Sequence, residues 1–312
     1  MRAIAITEWG GRDRLAEHDL PAPPLAPDGV LVRVRAAGVN PVDAKIREGY
    51  MEPRFPVHFP LILGWDAAGV VEEVGAAVTL FRPGDEVFGY CRRHHLQFGT
   101  YAEYATVPEV FWAHMPEALD FAHAGAMPCS ALTAHQALDI AGVRAGETVF
   151  ISGGSGGVGH FAVQLAAARG ARVFATSSPA NHAFIESLGA EPFDYADPDL
   201  VARVRARAGN GGLDAAIDLF GGDVREQAIA VLRRGGRLAT VAQPPPEPRE
   251  DVEVHYVFCR PSGDELTWLA HLVGEGKLRI ELAEAFPLER AADAHERIEG
   301  GHVRGKLVLA VP

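Results

Sequence analysis

Thr148-Val-Phe-Ile-Ser-Gly-Gly-Ser-Gly-Gly-Val-Gly-His-Phe-Ala-Val-Gln-Leu-Ala166 is the stretch whose reading decides the fold. Its apolar, β-branched opening predicts a strand over Thr148–Ile151, and the later apolar residues recur at helical spacing. Between them Gly154, Gly156 and Gly159 stand in the pattern G-x-G-x-x-G. A turn of this kind brings backbone N–H groups, here including those of Ser155, Gly157 and Val158, to a helix N-terminus where the peptide dipoles favour an anion. A Cβ at the glycines would block both the tight turn and the approach of phosphate oxygens. With its strand before it and its helix after it, the turn is expected to hold a dinucleotide pyrophosphate; a glycine-rich surface loop is the plainer alternative.

Strands and helices continue to alternate beyond this unit. Strands are expected at residues 172–176, 213–219, 236–241 and 252–258, with helices at 181–188 and 224–232. Such alternation implies right-handed crossovers and a doubly wound parallel sheet. The run Pro244-Pro-Pro-Glu-Pro248 reads as a turn off that sheet. A helix over residues 130–140 leads into the glycine-bearing unit. Upstream, short strands at residues 30–37, 68–74, 86–90 and 101–107, broken by turns such as Arg82-Pro-Gly-Asp85, suggest a mostly antiparallel barrel. Residues 1–7 alternate like a strand, and residues 305–311 are strand-like again, able to return to the first unit. No internal repeat is visible.

The formal net charge of −12 opposes nucleic acid or an anionic membrane surface as a partner. No apolar stretch approaches the ~20 residues that span a bilayer, and the N-terminus lacks the apolar core of a signal peptide. Three scattered cysteines, Cys91, Cys129 and Cys259, support neither a disulfide framework nor a zinc lobe. A cytoplasmic globular protein is expected.

Several further motifs occur in a fixed order. They are Ala37-Gly-Val-Asn-Pro-Val-Asp43, Leu63-Gly-Trp-Asp-Ala-Ala-Gly-Val-Val71, Pro83-Gly-Asp-Glu-Val-Phe-Gly89 and Gly99-Thr-Tyr-Ala-Glu-Tyr-Ala105. After the glycine turn come Ser187-Leu-Gly-Ala190, Phe193-Asp-Tyr195 and Gly305-Lys306. Over nearly its whole length the chain resembles the zinc-independent, quinone-oxidoreductase-like (zeta-crystallin-like) branch of the medium-chain dehydrogenases/reductases. The resemblance implies an α/β fold: a GroES-like β-barrel catalytic domain over residues 1–122, completed by 262–312, around a Rossmann NADP-binding domain over 123–261. It also implies an active site in the cleft between the domains.

In zinc members of the superfamily a cysteine and a Gly-His-Glu motif hold the metal; the matching positions here are Asn40 and Gly64-Trp65-Asp66. An amide and an indole are poor partners for a tetrahedral zinc site, and Cys129, near a remaining ligand position, cannot hold the ion alone. No metal is expected. Cys91, His94 and His95 read as a polar loop, with a metal cluster or a hydrogen bond from either histidine to substrate as other readings.

No carboxylate ends the strand at Thr176-Ser-Ser-Pro-Ala-Asn181, where NAD enzymes usually carry an acid for the ribose hydroxyls. Thr176, Ser177, Ser178 and Asn181 are therefore candidates for the 2′-phosphate of NADPH, with NADH possible and helix capping as the structural alternative. Tyr195, in the Asp-Tyr position, is expected beside the same phosphate or the adenine. The resemblance places Asn40 and Thr133 at the nicotinamide end and Lys306 at a late cofactor contact; the alternatives are a turn amide before Pro41, a structural helix threonine and a surface lysine. Phe220, Gly221 and Val241 fall at strand ends where doubly wound folds bind ligands.

Asn40 and Tyr50 are the catalytic candidates, Tyr50 as donor to a developing oxyanion or else a half-buried packing residue. Met51, Phe55, Trp65, Phe98 and Phe258 join Tyr50 as candidates for an apolar pocket wall. The expectation is an NADPH-dependent, zinc-independent reductase of a small hydrophobic quinone or α,β-unsaturated carbonyl, in a homodimer joined through residues 252–258. A zinc-type alcohol dehydrogenase and a non-catalytic NADPH-binding sensor remain alternatives.

Overall fold

The computed structural model describes residues 1–312 except Asn210 and residues 243–246, so most of the Pro244–Pro248 run lies outside the described residues. The chain forms two units: residues 1–129, 260–276 and 280–312, and residues 130–259 with 277–279. The sequence division at 122/123 falls inside the helix Phe121–Ala126, which stays whole in the first unit. Ala124, Gly125 and Ala126 are buried, and a Cβ on Gly125 would stand 2.9 Å from the Ala36 carbonyl oxygen, so this helix lies on the strand Gly29–Val39.

The second unit contains a six-stranded parallel sheet in the spatial order Ala190–Asp194, Arg172–Ser177, Thr148–Ile151, Leu213–Asp218, Leu232–Thr240, Val252–Tyr256. Thr148–Ile151, first in sequence, is central. The chain winds outward to one side and then to the other, reversing between Thr148–Ile151 and Leu213–Asp218. One face of the sheet, through Phe150, Phe174, Leu213, Ala216, Leu238 and Val252, packs with Leu200 and Val204 of the helix Leu200–Ala208 and with Ala228 and Ile229 of the helix Gly222–Ala230. The strand expected at 236–241 begins at Leu232. Arg233, Arg234 and Gly235 hide its start, because charged residues and glycine carry no strand signal.

The first unit is built on the sheet Leu282–Pro287, Lys306–Ala310, Gly29–Val39, Asp66–Val74, Glu86–Tyr90, Trp112–His114, with Tyr104–Pro108 also paired to Gly29–Val39. Only Leu282–Pro287 and Lys306–Ala310 run parallel to each other; the remaining pairs are antiparallel. Arg2–Ile6 pairs with Ala16–Asp19 and Leu61–Ile62 in a smaller sheet. The tail strand returns to the first unit, pairing Leu307 with Val39. It also brings two helices that the sequence pattern did not announce, Gly263–Gly274 and Ala291–Glu299. Among the described residues no helix is long and apolar enough to cross a membrane.

Phe174 is fully buried and its ring meets that of Phe193 at 5.9 Å between centroids. Phe174→Ala is expected to cost about 3–5 kcal/mol in urea unfolding, whereas Leu80→Ala, at an exposed site, stays within about 0.5 kcal/mol.

Candidate active site

The glycine turn is pinned from both sides in the second unit. Gly153 N–H donates to Thr176 Oγ1 at 2.9 Å and Gly154 N–H to the Thr176 carbonyl at 2.8 Å. On the other side Ser152 N–H donates to the Ile217 carbonyl at 3.1 Å, and Leu219 N–H donates to Ser152 Oγ at 2.9 Å. The turn thus sits at the reversal of strand order, the point where open α/β sheets take ligands. A Cβ on Gly159 would stand 2.0 Å from the Gly153 carbonyl oxygen, and one on Gly154 2.7 Å from Ala175 Cβ. Those two glycines are demanded by packing. Gly156 differs, because its nearest protein atom would be 3.4 Å away, leaving the backbone open to a close-fitting ligand. The helix Gly159–Ala168 follows with no side-chain cap at Val158, so its first-turn N–H groups other than that of His160, which donates to the Gly156 carbonyl at 3.0 Å, can serve an anion. This cradle fits a dinucleotide pyrophosphate.

Asn181 Nδ2 lies 3.4 Å from Ser155 Oγ and 3.3 Å from Ser178 Oγ, which gathers three of the expected residues into one group of neutral donors. Thr176 is buried and its hydroxyl is used to hold the turn. Ser177 is also buried, and its hydroxyl donates to the Ser178 carbonyl. Tyr195 is exposed, its N–H on the Ser177 carbonyl. The carboxylate in register with Ser177 is Asp194, on the neighbouring strand, and it accepts the Ala196 N–H at 2.9 Å. Phe220, 65 % exposed, lies against Gly153, where a Cβ would meet its ring at 2.3 Å. Thr133 is buried in the helix Pro128–Ile140.

A network around Asp218 escaped sequence reasoning. Its carboxylate accepts from Phe220 N–H, Gly221 N–H, Thr240 Oγ1 at 2.6 Å and Arg225 Nε at 3.3 Å, while Val241 N–H donates to its carbonyl. Asp218 therefore shapes the loop that carries Phe220 and Gly221. An acid at the end of an apolar strand was the available signal.

The first unit supplies a different kind of site. Asn40 caps the helix Pro41–Arg47, and Asp43 returns the bond by accepting Asn40 N–H at 2.8 Å. Asn40 Nδ2 donates to Asp66 Oδ2 at 2.9 Å, and Lys306 Nζ donates to Asn40 Oδ1 and to the Val39 carbonyl. Asp66 Oδ1 accepts Cys129 N–H at 2.7 Å, and the Lys306 ammonium lies 3.9 Å from Asp66 Oδ2. Asn40, Asp66 and Lys306 are all buried, so Lys306 is not a surface lysine.

From Asp43 a chain of bonds runs outward. Tyr101 OH donates to Asp43 Oδ2 at 3.0 Å, His295 Nε2 lies 3.3 Å from that hydroxyl, and Arg47 Nη1 lies 3.0 Å from His295 Nδ1. Burial first, and the Arg47 charge second, lower His295 to about 4, so the ring is neutral at pH 7. Arginine can only donate, which places the ring proton on Nε2, facing Tyr101. Arg47 Nη2 ends the chain on Glu299 at 2.6 Å. Burial raises Asp43 to about 7 and Asp66 to about 6, with the Lys306 charge acting in the opposite direction on both. Asp43 Oδ1 is buried without a hydrogen-bond partner, so the proton of the acid form belongs there.

These residues do not fit zinc. Both ends of the Asn40 amide are engaged, Cys129 offers its backbone N–H to Asp66, and an ammonium already stands where a dication would be repelled. Among the described residues, no group of three or more His, Cys, Asp or Glu is placed to hold a metal ion. His94 and His95 are exposed, and Cys91 is buried with its thiol pushed well up by burial. Met51, Phe55 and Trp65 are buried together, the last two rings meeting edge-on at 6.1 Å. Phe98 is half-buried, and Phe258, in the second unit, is exposed. Tyr50 is 70 % exposed, which corrects its expected half-buried packing role.

Two outcomes follow from this geometry. Gly159→Ala is expected to unfold at markedly lower denaturant, whereas Gly156→Ala keeps its midpoint but binds reduced dinucleotide about tenfold more weakly in a fluorescence titration. Asp43 and Asp66 ionise near 3.8 when unfolded but at about 7 and 6 when folded. Their contribution to stability is complete below pH 4 and is lost as pH rises through those values. Urea midpoints should therefore show Asp43→Asn losing less stability than the parent protein between pH 5 and pH 8.

Residues 26–117 match the family described as "Alcohol dehydrogenase GroES-like domain" and residues 188–309 that described as "Zinc-binding dehydrogenase". The chain is 32% identical to a chloroplastic quinone-oxidoreductase homolog of Spinacia oleracea, covering 99% of this chain and 98% of that one. It is 33% identical to a chloroplastic NADPH-dependent alkenal/one oxidoreductase of Arabidopsis thaliana, covering 99% of this chain and 79% of that one. Among solved structures, the quinone oxidoreductase from Coxiella burnetii superposes with a TM-score of 0.87 at 35% identity, over 100% of this chain and 99% of that one. These relatives carry enzyme names and lend no support to a non-catalytic sensor. The ordered motifs, the dinucleotide cradle and the full-length likeness together make this chain an oxidoreductase of the quinone-oxidoreductase-like medium-chain dehydrogenase/reductase family.

Proposed function

We propose that the chain is an NADPH-dependent, metal-independent reductase of quinones or α,β-unsaturated carbonyls. The observation that carries this reading is the Lys306 ammonium held against Asn40 and Asp66, two residues that the resemblance matches to the zinc site of zinc-dependent members. A bound reduced nicotinamide supplies the hydride. The turn at Gly154–Gly159 would hold its pyrophosphate, and Ser155, Ser178 and Asn181 would receive the 2′-phosphate without a repelling carboxylate on that group of donors.

What the chain itself contributes is orientation and a fixed electrostatic field. Asn40 Nδ2 has one hydrogen on Asp66 and a second to offer an acceptor oxygen. The Lys306 ammonium on Asn40 Oδ1 polarises that amide and strengthens the second N–H as a donor. Charge that collects on a quinone or enone oxygen is delocalised, so an amide donor polarised by a neighbouring ammonium meets the need that a plain ketone would place on a Lewis acid. The completing proton comes from solvent. Buried Met51, Phe55 and Trp65 suit a flat apolar acceptor. The outer edge of Val252–Tyr256 ends the parallel sheet and suits pairing with a second copy. Three free cysteines suit the reducing cytoplasm.

The test is NADPH oxidation by chelator-treated protein with a simple quinone and a simple enone, NADH alongside. Turnover should survive chelation and favour NADPH, and Asn40→Ala should lower kcat about a hundredfold with the fold intact. Loss of rate on chelation overturns metal independence; faster turnover with NADH overturns the phosphate preference.

A further inference from the structure

Residues 53–65 and 91–102 carry Arg54, His58, Arg92, Arg93, His94 and His95 and no acid, in a chain with 41 acidic and 29 basic residues. The two segments are strapped together. Leu96 N–H donates to the Pro56 carbonyl at 2.9 Å, and His58 N–H to the Leu96 carbonyl at 3.0 Å. The rings of His58 and His95 stack at 6.3 Å between centroids. Positive and titratable groups are therefore concentrated on one small surface of the first unit.

Beneath them is a hollow of about 10 Å³, room for about one water, whose lining includes Trp65, Cys91, Arg93, His95 and Phe98. Arg93 is half-buried there. Its Nε is buried without a hydrogen-bond partner, and among the described residues no acidic side chain forms an ion pair with it. Burial lowers its affinity for a proton, with only the Cys91 thiol acting the other way. A guanidinium edge withdrawn from water without a counter-ion is unfavourable, and that cost is relieved when an anion arrives. The hollow also adjoins the candidate site. Cys91 N–H donates to the Trp65 carbonyl, and the next residue, Asp66, holds Asn40.

We propose that Arg93 anchors a carboxylate on the acceptor, so that the preferred substrates are enones or quinones bearing a carboxylate. The guanidinium fork matches two planar oxygens, and the hollow beside it has room for one of them. This inference rests on the reductase reading for its chemistry, but the anion site itself can be read without turnover.

The experiment compares acetylacrylate with its methyl ester, the same enone with and without charge, and uses levulinate as the saturated acid for calorimetry. Wild type should favour the acid over the ester in kcat/KM by about tenfold or more. Arg93→Gln should remove that preference, and Arg93→Lys, which keeps charge but loses the fork, should restore part of it. Levulinate should bind wild type and not Arg93→Gln, with unfolding midpoints confirming that both variants are folded. An acid-to-ester ratio equal in wild type and Arg93→Gln, or levulinate bound equally by both, overturns the anion site and leaves the reductase standing. If neither enone nor a simple quinone is reduced but levulinate still needs Arg93, the reductase reading falls and the anion site survives. If none of the three is reduced and levulinate does not bind, both fall.

Discussion

The first unit depends on one buried cation. Lys306 stands at the start of the strand Lys306–Ala310, and the pairing of Leu307 with Val39 brings its ammonium to the Val39 carbonyl and the Asn40 amide. Burying a carboxylate such as Asp66 costs several kcal/mol, and here Lys306, Asn40 and the Cys129 N–H offset part of that cost, burial still leaving the carboxyl raised to about 6. The register of the last strand is what delivers that charge. A slip of one residue would turn Lys306 to the opposite face of the sheet and leave Asp66 buried without its cation.

The two units solve their tasks with different materials. The second works through backbone, with glycines chosen for packing at Gly154 and Gly159 and for open space at Gly156. Its supporting side chains, Thr176, Ser152 and Asp218, hold N–H groups in place. The first works through side chains in a directed series of donors. Arg47 donates to His295, which faces Tyr101, which donates to Asp43, and Asp43 fixes the backbone of Asn40. Every donor in that series points toward Asp43, so the positive end lies near Glu299 and the negative end beside the catalytic candidate. A sparse polar network in an apolar interior specifies geometry more sharply than apolar packing does, because each unpaired member is costly.

Charge is distributed unevenly for the same reason. The overall excess of acids says little about the six basic and imidazole groups on residues 53–65 and 91–102, because electrostatic interactions in water decay within about 10 Å. Composition describes the average surface, and a binding surface is defined by its departures from that average.

The sequence alone determined the doubly wound sheet and the glycine cradle, since both follow from local periodicity and from the steric demand for glycine between Thr148–Ile151 and Gly159–Ala168. It also singled out Asn40, Lys306 and the Ser178–Asn181 segment as candidates. It missed the early start of Leu232–Thr240, masked by two arginines and a glycine, and the helices Gly263–Gly274 and Ala291–Glu299. Only the tertiary structure decided that Lys306 lies buried on Asn40, that Asp43, Tyr101, His295 and Arg47 form one chain, and that Tyr50 faces solvent. Asn40 and Lys306 are 266 positions apart, and Arg47 and His295 are 248. Local propensity acts over a few residues, whereas the contacts that set charge, burial and hydrogen bonding are made only when sheet register closes such distances.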